Sequence, residues 1–140
     1  MTKFILNSFY QQLKKKNKRI TKARRAILEI LCSHPYEFKK LYQACKYEGN
    51  ENLSTFYNNI QFLKEEYAIR EIFFDKDNRY YEIILDKANR YSKDIIYVLD
   101  ETNQEAYEEV NDSVIEYIKN LPEYKDFGIN GLNVLIRRKG

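Results

Sequence analysis

The chain is poor in the residues that most catalytic and metal chemistry needs. Its 140 residues hold one histidine, two cysteines, four glycines, two prolines and one methionine, and no tryptophan. The last cysteine is Cys45, and no histidine follows His34. That excludes a Cys-x-x-Cys zinc site, a Cys/His nucleophilic pair in the rear half and a disulfide framework. Cys32 and Cys45 fall in predicted helices and read as small reduced hydrophobes. So few glycines leave no Gly-rich phosphate loop. His34 adjoins Pro35 with no obvious serine partner, and no set of nucleophile, base and oxyanion donors can be assembled. An enzyme is not expected. No stretch approaches the ~18 apolar residues that cross a bilayer. The opening Met1-Thr2-Lys3-Phe4-Ile5-Leu6 turns polar too soon for a signal peptide. These features predict a soluble cytoplasmic protein with no membrane partner.

Charge is present but unevenly spread. Residues 1–49 carry 12 Lys/Arg against 3 Asp/Glu, a balance of +9. Residues 50–85 and 86–140 each balance at −3, which leaves the net +3. A basic front and an acidic rear imply one half that faces a polyanion and another half with a different task. A Lys-rich solvated surface would give the same count.

Hydrophobic periodicity orders the chain into two units. Phe4 to about Lys16 is helical, with Phe4, Leu6, Phe9, Tyr10 and Leu13 as its apolar members. The basic run from Lys14 to Arg19 follows. Thr21 caps a second helix that reaches about Ser33, with Ala23, Ile27, Ile30 and Leu31 inward. Pro35 breaks the chain and can begin a third helix, which buries Phe38, Leu41 and Cys45 and stops at Gly49. Ser54 caps a fourth, to Tyr67. Ile69–Phe74 and Arg79–Leu85 then form β-rich runs around the polar turn 75–78. This is the layout of a winged helix with a two-stranded wing, and Lys76 and Arg79 stand near the wing tip, where phosphate contacts are expected.

Residues 86–93 read as a polar hinge. Beyond it come a strand at Ile95–Leu99, a Thr102/Glu105 capping box opening a helix with Ala106, Val110, Val114, Tyr117 and Leu121 on one side, and a strand at Ile129–Ile136. The fold class is therefore α+β: a winged-helix DNA-binding domain over 1–86 and a small α/β dimerisation domain over 87–140. The rear unit, about 50 residues long, has too little core to stand alone comfortably, so a homodimer is expected.

The fourth helix carries the functional signal. Leu53, Phe56, Ile60, Leu63 and Tyr67 gather on one face of its wheel, and Ser54, Asn58 and Gln61, flanked by Thr55 and Tyr57, point away. A face meant only for solubility would carry Lys and Glu. Amides, hydroxyls and one phenol suit base edges in a major groove. Tyr57 would lie against a thymine and Asn58 would favour adenine, with Ser54 and Thr55 towards the phosphates. Arg19 would reach a narrow, strongly negative A/T-rich minor groove. Lys14, Lys15, Lys16, Lys18, Lys22, Arg24 and Arg25 would neutralise phosphates, and Thr21 joins them as a contact. The competing reading is a degenerate winged helix that pairs with another regulator through Phe62 and Tyr57 without reading DNA.

Two segments resemble a known family. Arg19-Ile20-Thr21-Lys22-Ala23-Arg24 is similar to the opening of the Fur (ferric uptake regulator) family, and Leu53-Ser54-Thr55-Phe56-Tyr57-Asn58-Asn59-Ile60 is close to its recognition-helix pattern. Residues 128–136 resemble its closing dimerisation strand. The resemblance spans about residues 5–136. It implies a dimeric winged-helix regulator that binds an A/T-rich inverted repeat on double-stranded DNA. It also implies metal ligands, from which this sequence departs. Residues 89–94 lack the family's histidines, and no Cys-x-x-Cys pair is present for a structural zinc. His34, Glu82, Asp94 and Glu105 fall at or near the family's regulatory ligands. One imidazole and three carboxylates would suit Mn²⁺ or Fe²⁺. Each has a structural alternative: a helix-entry histidine, a solvated strand glutamate or, for Glu105, the capping box. The expectation is a regulator weakly dependent on metal or independent of it.

Overall fold

A computed structural model describes residues 2–85 and 94–139, residues 2 and 3 as backbone only. The expected hinge over 86–93 and the boundary between 86 and 87 lie outside the described residues.

The front half opens with α1 (Thr2–Lys15), which buries Leu6, Phe9, Tyr10 and Leu13 and leaves Phe4 exposed. In α2 (Lys22–Leu31), Thr21 is the N-cap, its hydroxyl accepting from the Arg24 amide at 3.2 Å. A short strand β1 (Tyr36–Glu37) leads into α3 (Phe38–Cys45). Then come α4 (Leu53–Glu65), β2 (Ile69–Phe73) and β3 (Arg79–Ile83). The helices and the inner side of the sheet share one core, with Ile27, Leu28, Leu41, Phe56, Ile60 and Leu63 completely buried.

The rear half contains β4 (Ile95–Asp100), β5 (Glu105–Glu109), α5 (Asp112–Lys119) and β6 (Asn133–Arg138). Its sheet runs β5-β4-β6, antiparallel on one side and parallel on the other. The parallel pair needs a long crossover, which α5 and the following turns provide. No helix among the described residues is long and apolar enough to cross a membrane.

The halves are joined by a second core. Phe74 and Tyr80 from the wing sheet pack with Ile95, Tyr97, Leu99 and Ala106 from the rear sheet. Arg137 of β6 donates to the Phe74 carbonyl, and Lys40 of α3 donates to the Asn103 carbonyl.

Several expectations change, among them the closing strand, which begins at Asn133 rather than at Ile129. The wing sheet has three strands, because Tyr36–Glu37 pairs with β3, so α3 starts at Phe38 with the Glu37 carboxylate as its cap, accepting from the amides of Lys39 and Lys40. Asn52, not Ser54, caps α4: its carbonyl accepts from Ser54 N at 2.8 Å and Thr55 N at 3.2 Å. Helix α4 ends at Glu65, and Tyr67 lies beyond it in a left-handed turn at φ 58°. Residues 105–109 form a strand, not a helix. Asp100 takes the amides of Thr102 and Asn103 at 3.0 and 3.1 Å, and the resulting turn reverses the chain onto β4. The Thr102 amide is thus held by Asp100. The real helix starts later, at Asp112, capped by Asn111, whose side-chain carbonyl accepts from the Val114 amide.

Among the described residues, one glycine combines a positive φ with a close neighbour. Gly49 ends the turn after α3 at φ +88°, and a Cβ there would stand 3.1 Å from that of Ala23. This close approach brings the following Asn50 against α2. Gly49→Ala should cost about 1–3 kcal/mol through strain at positive φ, read as a lowered urea midpoint. An unchanged midpoint would show that the turn tolerates a side chain.

Candidate nucleic-acid interface

The sequence divides α4 into two faces and the structure keeps that division. Phe56, Ile60 and Leu63 have no exposed surface, whereas Ser54, Thr55 and Asn58 are exposed and Tyr57 is 40% exposed. Leu53, expected inward, is exposed in the first turn. Gln61 is half-buried further along.

A chain of buried amides sets the pose of α4. Asn59 lies on its inner face, between Phe56 and Leu63, and is 7% exposed. Its amide nitrogen donates to Asn50 Oδ1 at 2.9 Å, and the Asn50 amide nitrogen donates to the Ala23 carbonyl at 3.1 Å and the Cys45 carbonyl at 3.4 Å. Arg24 Nε donates back to Asn59 Oδ1 at 3.2 Å. Three helices are thereby fixed through two asparagines that sequence reasoning missed. The signal was available: an amide at position 59 falls on the apolar side of the wheel.

The basic residues separate into two groups. Arg24 is engaged within the chain. Its guanidinium lies 3.6 Å over the Phe62 ring and donates to the Arg19 carbonyl at 2.7 Å. Burial lowers its pKa, helped by Arg19. The Thr21 hydroxyl is likewise committed to its cap. Lys18 pairs with Glu66, and Lys22 with Glu48 at 3.3 Å. Arg25 is exposed, with its guanidinium 4.8 Å from the Tyr10 ring. Lys14, Lys15, Lys16 and Arg19 are exposed and make no ion pair among the described residues.

The four expected metal ligands do not converge. His34 stacks flat on Tyr36, centroids 4.4 Å apart, and tilts towards Tyr107. Its Nδ1 lies 2.7 Å from the Pro35 carbonyl, which can only accept, so Nδ1–H is the donor of that hydrogen bond. Glu82 lines the same cleft as His34, together with Glu108 and Cys32. Asp94 is taken by Lys119 Nζ at 2.7 Å and the Leu132 amide at 3.1 Å. Glu105 accepts from Tyr107 and faces Lys40 at 3.6 Å. Among the described residues, no three His, Cys, Asp or Glu side chains are grouped to hold a metal ion.

Glu82 is instead balanced from within. Arg70 Nε lies 3.3 Å from Glu82 Oε1, and the Arg70 guanidinium also donates to the Tyr97 hydroxyl. That hydroxyl donates to Glu82 Oε2 at 2.6 Å. Burial pushes the Glu82 carboxyl up to about 7. Glu108 adds to the rise, while Tyr97 and Arg70 oppose it.

The match to a family model extends over residues 15–120, and the model is that of the ferric uptake regulator family. The chain belongs to the ferric uptake regulator family. It is a DNA-binding transcription regulator and not an enzyme. Solved ferric uptake regulators share its fold. The Vibrio cholerae protein has a TM-score of 0.69 at 17% identity, covering 94% of this chain and 98% of its own. A peroxide stress regulator from Campylobacter jejuni has a TM-score of 0.59 at 25% identity, covering 93% and 94%. A zinc uptake regulator solved with zinc and DNA has a TM-score of 0.58 at 14% identity, covering 100% and 93%. No curated protein matches the chain by sequence.

Two outcomes follow for this ferric uptake regulator relative. Asn59→Ala strands Asn50 and Arg24 and should cost about 1–3 kcal/mol. Asn58→Ala, one residue away but exposed, should stay within about 0.5 kcal/mol. Urea denaturation of the two variants tests the contrast. Glu82 supplies the second. Its folded carboxyl keeps a proton that the unfolded one, near pH ~4.3, has lost. The stabilisation is complete below that value and is lost as pH rises to about 7. The urea midpoint of the natural chain relative to Glu82→Gln should therefore be lower at pH ~8 than at pH ~5; an equal offset would contradict the assignment.

Proposed function

We propose that the chain is a homodimeric, sequence-specific repressor whose residues 1–86 bind an A/T-rich inverted repeat and whose residues 87–140 dimerise. The exposed face of α4 carries this reading. Its outward hydroxyl, amide and phenol groups rest on a helix whose pose is fixed by the buried Asn50–Asn59 pair. Tyr57 and Asn58 read base edges, Ser54 and Thr55 lie towards the backbone, and Lys15, Lys16, Arg19 and Arg25 supply the charge that binds phosphates. Arg24 positions α4 through Phe62 and Asn59 rather than reaching for phosphate, and Thr21 acts as the cap of α2.

The dimer reading is supported by the rear half. Val110, Tyr117 and Phe127 are 89%, 71% and 70% exposed, and among the described residues β6 ends its sheet with an unpaired edge. Apolar surface of this kind on so small a unit needs a partner. Two copies would present their α4 helices about one turn of DNA apart.

We place the regulator in the metal-independent class. Metals are named for several solved relatives, including manganese for the Pseudomonas aeruginosa protein. Among the described residues no three candidate ligands come together to fit such an ion. Glu82 is already met by Arg70 and Tyr97, and Asp94 and Glu105 by lysines.

One fluorescence-anisotropy series tests these points, using an A/T-rich palindrome and a random duplex at several salt concentrations. Tyr57→Ala or Asn58→Ala should cost about 1–3 kcal/mol on the palindrome and much less on the random duplex. Removing Lys15 or Lys16 should weaken both alike and flatten the salt slope by about one unit. Affinity should not change on adding Mn²⁺, Fe²⁺ or chelator. A chelator-sensitive affinity would overturn the metal-independent reading alone, and no salt-dependent affinity at all would favour the protein-pairing alternative.

A further inference from the structure

Arg79 opens β3, one residue past the turn between the wing strands. Its guanidinium lies 4.9 Å over the ring of Phe38, the first residue of α3. The side chain shares one shallow surface cleft with Leu53, Ser54, Tyr57 and Asn58 of α4. It makes no ion pair with a carboxylate among the described residues. A cation with no counter-charge, its plane steadied by an aromatic ring, thus stands beside the two side chains proposed to read bases.

We propose that Arg79 is a third base-reading residue of the interface, one that recognises guanine next to the bases met by Tyr57 and Asn58. The inference rests on the reading of α4 as the duplex-facing helix. A fixed guanidinium plane suits bidentate recognition of a phosphate or of a base edge, and its place in one cleft with Tyr57 and Asn58 favours the base. A guanidinium presents two parallel N–H donors, which match the O6 and N7 acceptors of guanine in the major groove. Asn58 offers the complementary donor and acceptor pair that adenine requires. The pairing of Phe73 with Arg79, the last of the β2–β3 ladder, places this side chain beside the wing turn on the side that meets α3 and α4, while exposed Lys76 within the turn remains available for the backbone. The cleft therefore joins an adenine-preferring amide to a guanine-preferring fork on one continuous surface.

The experiment uses the full chain and a pool of duplexes with a randomised core. Duplexes enriched by the natural chain supply the cognate probe, and a scrambled duplex of equal length and composition supplies the control. Arg79→Lys keeps the charge and Arg79→Gln removes it, with the thermal midpoint of each checked against the natural chain. Arg79→Lys should lose about 5- to 100-fold on the enriched duplex and less than about twofold on the scrambled one. It should also enrich a motif that has lost its guanine preference at one position per half-site. If Arg79→Lys binds both probes like the natural chain while Arg79→Gln loses equally on both, Arg79 is a phosphate contact and the inference fails. Tyr57→Ala is measured in parallel. Should it discriminate between the probes while Arg79→Lys does not, only the role of Arg79 is overturned. Should neither discriminate, or should no motif be enriched, the reading of α4 falls with it.

Discussion

The hydrogen bond from Asn59 to Asn50 is the constraint on which the rest of the interface depends. Apolar packing alone holds α4 to the core but leaves it free to roll or slide by small amounts, because Phe56, Ile60 and Leu63 contacts are not directional. Two buried amides are directional. Each can be satisfied only in one relative pose, and an unsatisfied buried amide is costly. Asn50 is brought there by the Gly49 turn and bonds the carbonyls of Ala23 and Cys45, so one side chain ties the ends of α2 and α3 to the middle of α4. Arg24 closes the chain from the outside, stacked on Phe62. What reaches the surface as Tyr57 and Asn58 is therefore aimed by polar contacts on the opposite side of the same helix.

The same economy marks Glu82, one of the positions that the family resemblance offers as a metal ligand. A buried carboxylate must be compensated, by an ion or by the chain itself. Here the compensation is internal and partial: Arg70 supplies positive charge and Tyr97 a hydroxyl donor, and the proton that burial keeps on the carboxyl up to about pH 7 does the rest. The three groups come from β2, β3 and β4, so the clasp spans the wing sheet and the rear sheet, beside the apolar contact of Phe74 and Tyr80 with Tyr97 and Leu99. A divalent cation would need several donors facing one point, and Asp94 and Glu105 are turned to lysines instead.

Much of the front half could be read from the sequence, because its signals were helical periodicity and caps acting locally. Phe56, Ile60 and Leu63 against Tyr57 and Asn58 separate cleanly on a wheel, and Thr21 has no rival as a cap. The near misses arise where two residues compete for one role. Asn52 and Ser54 are both good caps, and the choice was decided by which carbonyl or hydroxyl reached the free amides. The real error, at residues 105–109, came from a local pattern that a longer-range one defeated. Thr102 and Glu105 have capping-box spacing, but Asp100 claims the amides first and β4 offers a full ladder to pair with. Tyr36–Glu37 was invisible for a similar reason: two residues carry no periodicity, and their strand exists only because β3 lies alongside. The metal positions came from a resemblance and not from chemistry; the hairpin register that sets Arg70 opposite Glu82 offers a local sign of a different partner for that carboxyl.

Tyr97 has a mechanical consequence. Its single hydroxyl accepts from Arg70 and donates to Glu82, so a rear-sheet side chain is pinned at two points to neighbouring strands of the wing. Two attachment points resist rotation in a way that one does not. In a symmetric pair built on the rear halves, the angle between the two reading heads would then be set by each subunit's own covalent and hydrogen-bonded frame. Moving the half-sites apart by one base pair turns one against the other by about 35°, a twist that a clasp of this kind has little slack to follow. A protein so built would be choosy about the length of the gap between half-sites, even where the bases inside that gap touch nothing.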